Sequence, residues 1–508
     1  MNPSAMYEAG FPHEQLAALN VTITRLVTDS RAVRNGDTFV AYPGERTDGR
    51  QFIAQAIAHG ANAVIWEAQH FLWNEDWRVP NIGVSDLRDK AGRLADTVYG
   101  APSEKLWVVG ITGTNGKTST SHWIAHGLSD TGKNCALIGT LGNGFPGALQ
   151  ATANTTPDAI SVHGSLADFL RGGAQAVAME VSSHALTQGR VNAVRFDVAM
   201  LTNLSRDHLD YHGDMESYAA AKRKLFDWQQ LKYVVLNFDD AYGAELAEQL
   251  QGSDAEVVGY GLGDAALQLA ERLGLRMVYG NLLEMTGQGS RLAVHSSWGA
   301  AELQSTLVGR FNAANLLGAL AVLLVSGIAL NNAVHSLSAV RPAPGRMQRL
   351  GGARQPTVIV DYAHTPDALE KVLQALREIN AASGGKLICV LGCGGDRDRG
   401  KRAMMGRVAE RFADFCIVTS DNPRSENPRE IIAEIVGGMN EDKHEIMIDR
   451  AAAIQCAIRL ARTVDTVLIA GKGHEDYQEI DGVKHPFSDV LVARQALDRI
   501  REEPGECI

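Results

Sequence analysis

Short apolar runs bounded by polar turns recur along the chain, and they fall into groups. Residues 107–111, 176–181, 196–201 and 233–236 form one group; residues 357–360, 387–391, 415–419 and 466–470 form another. Continuous apolar runs of this length predict strands buried on both faces, as in parallel sheets covered by helices. A third, earlier set holds Asp29-Ser30-Arg31, Gly36-Asp37-Thr38-Phe39-Val40-Ala41 and a helical pattern over 52–60. Between the runs, helical spacing places Trp123, Ile124 and Leu128 on one face of a helix over 118–130. The same spacing predicts a helix over 218–228, where Tyr218, Leu225 and Phe226 flank Lys222. The expected class is α/β throughout.

Two breaks divide the pattern: Tyr99-Gly100-Ala101-Pro102-Ser103, read as a linker, and Pro342-Ala343-Pro344-Gly345. With 508 residues and about 150 residues per domain, three domains are expected, over 1–98, 99–340 and 341–508. No internal repeat or low-complexity tract interrupts them. The most apolar run, 316–330, is fifteen residues long and contains Gly318, Ser326 and Gly327. It is too short for a membrane span and predicts a buried helix.

Composition narrows the class further. A net charge of -11 disfavours coating of nucleic acid or an anionic membrane, so an anionic substrate must meet local basic groups. The cysteines at 135, 389, 393, 416, 456 and 507 form no CxxC pair, which fits a reducing, cytoplasmic setting. Residues 1–10 offer neither a basic segment nor an apolar core, so no secretory leader is expected.

The richest stretch is Val108-Val109-Gly110-Ile111-Thr112-Gly113-Thr114-Asn115-Gly116-Lys117-Thr118-Ser119. An apolar strand enters a glycine turn that ends in Gly-Lys-Thr. Glycines bring backbone N–H groups close to phosphate oxygens, Lys117 adds a mobile charge, and Thr118 offers a hydroxyl to Mg²⁺. The helix that follows points its N-terminus at the anion, with ATP or GTP as the natural ligand. Ile111 stands where the usual loop has its first glycine. A plain strand-to-helix glycine turn is the competing reading of the loop taken alone.

In open α/β sheets, ligands gather at the carboxyl ends of strands. There the chain places Glu180-Val181-Ser182-Ser183-His184, residues 202–210, residues 392–399, Asp421-Asn422-Pro423-Arg424 and residues 471–476. Glu180 and His208 are candidate metal ligands, or else ordinary hydrogen-bonded turn residues. Lys222 lies on or beside the apolar stripe of its helix; a snorkelling, ordinarily charged lysine is the reading its spacing favours, against a desolvated and reactive one. Asn154-Thr155-Thr156-Pro157-Asp158 with Gln188-Gly189-Arg190 suits an anionic, hydroxyl-rich ligand, or two capped helix starts. Arg397 and Arg424 suit carboxylates and Glu475 suits an ammonium, a set fit for a zwitterion or for a surface ion-pair network. Cys389 and Cys393 do not make a zinc site.

Further matches follow in order: Asn203 with Asp207-His208-Leu209-Asp210, Phe311-Asn312-Ala313-Ala314-Asn315, Pro344-Gly345-Arg346 and Asp361-Tyr362-Ala363-His364-Thr365-Pro366. Together with the glycine loop and the Glu180 run, they resemble the Mur ligases, the ATP-dependent amide-forming enzymes of peptidoglycan precursor synthesis. The resemblance covers essentially the whole chain, and the shifted loop glycine is typical of that family. It implies a central P-loop ATPase-like parallel sheet, a small N-terminal α/β domain and a C-terminal Rossmann-like α/β domain. Asp421-Asn422-Pro423-Arg424 resembles the branch that adds meso-diaminopimelate, because lysine-adding members usually lack this motif. A buried guanidinium without its carboxylate would penalise lysine.

The resemblance also implies roles. ATP would phosphorylate the D-glutamyl γ-carboxylate of UDP-N-acetylmuramoyl-L-alanyl-D-glutamate, and the amine of diaminopimelate would attack the acyl phosphate. The catalytic set would be Lys117, Glu180, His208 and Lys222. Mg²⁺ would be held by Thr118, Glu180, His208 and Lys222 as its carbamate, a role in which the family position of Lys222 overrides the snorkelling reading. ATP would meet Gly113, Thr114, Asn115, Gly116, Lys117, Thr118, Ser119, Asn312, Asn315, Arg346, Asp361 and His364. The UDP-linked substrate would meet Thr28, Ser30, the Glu45-Arg46-Thr47 turn, Asn154, Thr155, Thr156, Ser182, Gln188 and Arg190. Arg397, Asp421, Asn422, Pro423, Arg424, Gly471 and Glu475 would receive diaminopimelate. A monomer is expected, with small-molecule partners only. An L-lysine-adding ligase and a non-catalytic nucleotide-dependent switch stay open, whereas a folylpolyglutamate synthetase is disfavoured by the N-terminal domain.

Overall fold

A computed structural model describes residue 11 and residues 13–45, 47–381, 384–440 and 443–502. The leader reading of residues 1–10, Arg46 and Cys507 fall outside the described residues. Three sheets, each with its own apolar core, and one short hairpin carry the chain.

The largest sheet has eleven strands. Across it run Gly299–Ser305, Gly289–Ser296, Arg276–Thr286, Glu256–Gly261, Tyr233–Asn237, Val198–Leu201, Trp107–Thr112, Ala176–Glu180, Cys135–Gly139, Gly142–Phe145 and Ala148–Gln150. From Arg276–Thr286 to Cys135–Gly139 all neighbours are parallel, and the antiparallel strands lie at the two edges. Both faces are buried: Val109 and Ile111 enter one core and Val108 the other. This is why these strands read as continuous apolar runs rather than alternating ones. Helices Lys117–Asp130 and Arg310–Val325 cover one face. The second is buried along nearly its whole length. It begins earlier than the apolar run at 316–330 and stops at Val325, where Ser326 and Gly327 turn the chain. Among the described residues, no helix is long and apolar enough to cross a membrane.

The third sheet is ordered Gln348–Gly351, Thr357–Asp361, Thr466–Ala470, Leu387–Leu391, Phe415–Val418 and His444–Ile446, antiparallel only at its first pair. The first sheet has four parallel strands, Leu26–Val27, Thr38–Ala41, Ala63–Glu67 and Asn81–Val84. Its helix Leu87–Tyr99 packs on Ala159–Arg171 of the central unit, whose Ala159 and Ile160 join the first core.

The segment 99–103, read as a linker, lies between helix Leu87–Tyr99 and strand Trp107–Thr112 and is packed: the Tyr99 hydroxyl accepts from Leu26 N at 3.0 Å, and Pro102 and Ser103 are buried. One local expectation needs correcting. The helix expected over 218–228 is Met215–Arg223, and Leu225 and Phe226 enter the core from a turn whose N–H groups return to Lys222 O and Arg223 O. Cys135, Cys389, Cys393, Cys416 and Cys456 are free thiols.

Candidate active site

The carboxyl ends of three adjacent parallel strands meet at one level, because Ile111 lies opposite Glu180 and Thr112 opposite Leu201. The glycine loop leaves this edge and enters helix Lys117–Asp130. Gly113 has φ +144°, and a Cβ there would stand 1.9 Å from Thr202 Oγ1, so only glycine fits. The loop is braced from below: Thr202 Oγ1 donates to Asn115 O at 2.6 Å, and Asn203 Oδ1 accepts from Asn115 N at 3.0 Å. Lys117 Nζ curls back to Gly113 O and Thr114 O, at 2.7 and 3.0 Å. Burial depresses the Lys117 ammonium, with Glu180 and Asp207 pulling the other way.

Glu180 is buried and fully engaged. It accepts from Thr118 Oγ1 at 2.9 Å, from Thr140 N at 2.8 Å and from Thr140 Oγ1 at 3.1 Å. Gly139 makes room, since a Cβ there would meet Glu180 Oε1 at 2.3 Å. Among the described residues, no group of three or more His, Cys, Asp or Glu side chains is arranged to hold a metal by itself. The Thr118 hydroxyl and Glu180 carboxylate are nevertheless hard oxygen donors beside a phosphate loop. That donor set fits Mg²⁺, which takes its other ligands from water and phosphate.

Lys222 is buried, not snorkelling. Its Nζ donates to Gly113 O at 3.0 Å and lies 4.5 Å from the Tyr218 ring centroid. Burial, reinforced by Lys117, pushes its pKa well below the usual lysine range, with Asp207 pulling the other way, and its Nζ faces the phosphate loop. Beside it, buried Asp207 gathers the His208 ring at 3.4 Å, His364 at 3.5 Å and Lys401 at 3.4 Å. Burial alone would raise the Asp207 carboxyl, but Lys401, His364 and His208 hold it well below the usual range. Burial lowers His208, so its imidazole is neutral and able to act as a ligand.

Thr114 to Ser119, Thr140, Glu180, Asp207, His208 and His364 border a single cavity of about 1520 Å³ that reaches into all three units, whereas Gly113, Lys222 and Lys401 do not line it. From the expected nucleotide set it collects Thr114 to Ser119, Asn312, Asn315, Arg346, Asp361 and His364. Arg346 crosses from the third unit: its Nη2 reaches Thr118 Oγ1 at 3.3 Å, its guanidinium stacks on Tyr362 at 4.2 Å, and its buried Nη1 has no partner. From the expected UDP-substrate set, Glu45, Asn154, Thr155, Ser182, Gln188 and Arg190 line the cavity. Thr156 supports them from behind, donating to Glu180 O and accepting from Ser182 N. Asp158 and Ser182 do cap helices Ala159–Arg171 and Ser183–Thr187. Thr28, Ser30 and Thr47 do not line this cavity; Ser30 Oγ is turned to Gln55 at 2.8 Å.

At the far end, Arg397, Arg424 and Glu475 line the wall. Asp421, Asn422, Pro423 and Gly471 sit behind them. Asn422 and buried Lys472 hold Glu475 Oε2 at 2.8 and 2.7 Å. Arg424 is not left without a counter-charge, because Glu479 stands 3.3 Å from its Nε.

Three family profiles match the chain: "Mur ligase family, catalytic domain" over residues 22–99, "Mur ligase middle domain" over 111–323 and "Mur ligase, glutamate ligase domain" over 345–473. The chain belongs to the Mur ligase family. It is 52% identical to the UDP-N-acetylmuramoyl-L-alanyl-D-glutamate--2,6-diaminopimelate ligase of Chromobacterium violaceum, over 96% of this chain and 97% of that one. It is 51% identical to the enzyme of the same name from Nitrosomonas europaea, over 95% and 94%. A solved structure of a ligase of that name is 36% identical, with a TM-score of 0.63 over 94% of this chain and 95% of that chain.

Several groups at this Mur ligase cavity carried no individual role in the sequence reading. Thr140, Lys401 and the Asp207–His364 bridge were hidden because their partners lie 40, 194 and 157 residues away, and Lys472, beside its local partner Glu475, also reaches Asn422 50 residues away. Asp207 and Lys472 did stand inside runs already singled out at strand ends. Tyr42 and Arg88, which line the cavity with Glu45 and Arg190, left no motif.

Proposed function

We propose that this Mur ligase joins meso-diaminopimelate to the D-glutamyl γ-carboxylate of UDP-N-acetylmuramoyl-L-alanyl-D-glutamate at the expense of ATP. The observation that carries the reading is the shared cavity, whose wall includes Lys117 of the phosphate loop, Arg190 of the anion-binding turn and Arg424 of the amino-acid end. The full-length relatives named for this reaction support it.

The chain's residues divide the work. The loop 113–119 cradles the phosphates, with Asn312 and Asn315 toward adenine. On phosphate binding, Lys117 exchanges its two loop carbonyls for the β/γ-phosphates. Arg346, with Asp361 and His364, closes over the nucleotide from the third unit, adding charge to the transferring phosphoryl group. Asn154, Thr155, Thr156, Ser182, Gln188 and Arg190 hold the muramoyl dipeptide, with Thr28, Ser30 and the Glu45–Thr47 turn toward uridine. The D-glutamyl γ-carboxylate attacks the γ-phosphorus and ADP leaves. The unprotonated amine then attacks the acyl carbon, the C–N bond forms, the C–O bond to phosphate breaks, and the nitrogen gives up one proton to the departing phosphate or to water. Arg397, Asp421, Asn422, Pro423, Arg424, Gly471 and Glu475 present that amine. Thr118 and Glu180 would hold one Mg²⁺, and His208 with carbamylated Lys222 a second. Such ions supply charge neutralisation on the phosphoryl oxygens.

We divide the chain at 1–98, 99–340 and 341–508, three units contributing to one site, working as a cytoplasmic monomer. Substrate labelled with ¹⁸O in the D-glutamyl γ-carboxylate tests the route. One ¹⁸O should appear in each released phosphate; unlabelled phosphate would exclude the acyl phosphate.

A further inference from the structure

Arg424 is a constrained residue at the amino-acid end. Its φ is +52°, a left-handed conformation costly for a side chain this large. What holds it is the hairpin Tyr477–Ile480 and Val483–Pro486. Arg424 N donates to Glu479 O at 3.0 Å, and Asp481 N donates to Arg424 O at 2.8 Å, so the hairpin clamps the strained residue on both sides. The clamp is itself pinned: Glu479 N donates to Asn422 Oδ1 at 2.9 Å, and Gln478 Nε2 donates to Asp421 O at 2.7 Å.

The same hairpin fixes the guanidinium. Glu479 Oε2 stands 3.3 Å from Nε, and Nη1 donates to Gly395 O at 2.7 Å. The described residues offer Nη2 no acceptor. Arg424 lines the cavity, whereas Glu479 does not. Glu479 thus stands behind the guanidinium, and a ligand carboxylate can take the side that the protein leaves open.

We propose that Glu479 is a positioning residue for amino-acid selection: together with the Gly395 carbonyl it locks the Arg424 fork so that Nη2 and the remaining Nη1 proton face the carboxylate of the incoming amino acid. This rests on the proposed diaminopimelate reading. A guanidinium clamped at one edge loses little freedom when it binds a carboxylate, and a loose one must be ordered by the ligand. The opposite role, a resident carboxylate competing for Arg424, predicts the reverse effect on affinity.

The test is steady-state kinetics of wild type, Glu479→Ala, Glu479→Gln and Glu479→Asp with meso-diaminopimelate and with L-lysine, alongside ATP affinity and melting temperature. The expected result is a KM for diaminopimelate raised about tenfold in Glu479→Ala, with kcat within about twofold and ATP affinity unchanged. Glu479→Gln, which keeps an acceptor, should be raised less, and KM for any residual lysine turnover should stay put. A lowered KM in Glu479→Ala would make Glu479 a competitor and overturn the proposal, as would an unchanged one. Loss of kcat and ATP affinity together would reduce Glu479 to a general structural role and overturn it too. Wild-type turnover of lysine but not diaminopimelate would instead refute the underlying reading.

Discussion

Thr118 and Glu180 are bonded to each other, hydroxyl to carboxylate at 2.9 Å, across the start of the helix that follows the phosphate loop. Thr118 stands in the first turn of that helix and Glu180 at the end of the strand beside the loop, 62 residues apart, and Arg346 reaches the same hydroxyl from the third unit. Glu180→Gln keeps the size and a hydrogen-bond acceptor but removes the charge. We expect kcat to fall by roughly 10²-fold or more and the Mg²⁺ requirement to rise, with the fold intact. Phosphate release titrated with Mg²⁺ measures both, and an unaltered Mg²⁺ profile would move metal binding elsewhere.

Lys222 gives a second prediction. Its buried, depressed amine can add carbon dioxide as the neutral base. Lys222→Ala should lose activity by about 100-fold and regain part of it with millimolar formate or acetate, which replace the carbamate oxygens. Full activity in the alanine variant would contradict a carbamate.

Gly345, next to Arg346, packs against the loop that carries Lys472 and Glu475. With φ +66°, it lies so close to the loop after Ala470 that a Cβ would stand 2.1 Å from His474 N. Gly345→Ala should displace either Arg346 or the Lys472–Glu475 loop at a cost of about 2 kcal/mol or more. Thermal unfolding reads the cost. A variant as stable and as active as wild type would show that the two loops move independently.

Acid sensitivity follows from Glu426. The hydrogen bond from Arg402 is the largest influence on its carboxyl and lowers it from 4.5 to about 2. The folded form therefore binds this proton less tightly than the unfolded chain does. The stabilisation is complete above pH 4.5 and is lost as the pH falls toward about 2. Glu426→Gln should melt below wild type at pH 7, with the gap narrowing through that window. A gap that stays constant with pH would assign the effect to packing.

The strands were legible because a sheet buried on both faces needs continuous apolar runs. Leu387–Leu391 and Thr466–Ala470 begin and end where the pattern places them. The phosphate loop was legible because its chemistry is local. Lys222 was harder: helical spacing favoured an exposed amine, but the helix stops at Arg223, and the turn after it sends Leu225 and Phe226 into the core over a buried Nζ. Long-range pairing left no trace at all. Nothing near Asp207 announces Lys401 and nothing near Arg424 announces Glu479, because both pairs depend on how separate loops dock.

The most direct test of the whole account is phosphate release with ATP, Mg²⁺ and UDP-N-acetylmuramoyl-L-alanyl-D-glutamate, comparing meso-diaminopimelate with L-lysine and weighing the product by mass spectrometry. The account predicts turnover and a tripeptide product with diaminopimelate, and negligible product with lysine. Equal or better turnover of lysine would contradict it, as would phosphate release that needs no amine.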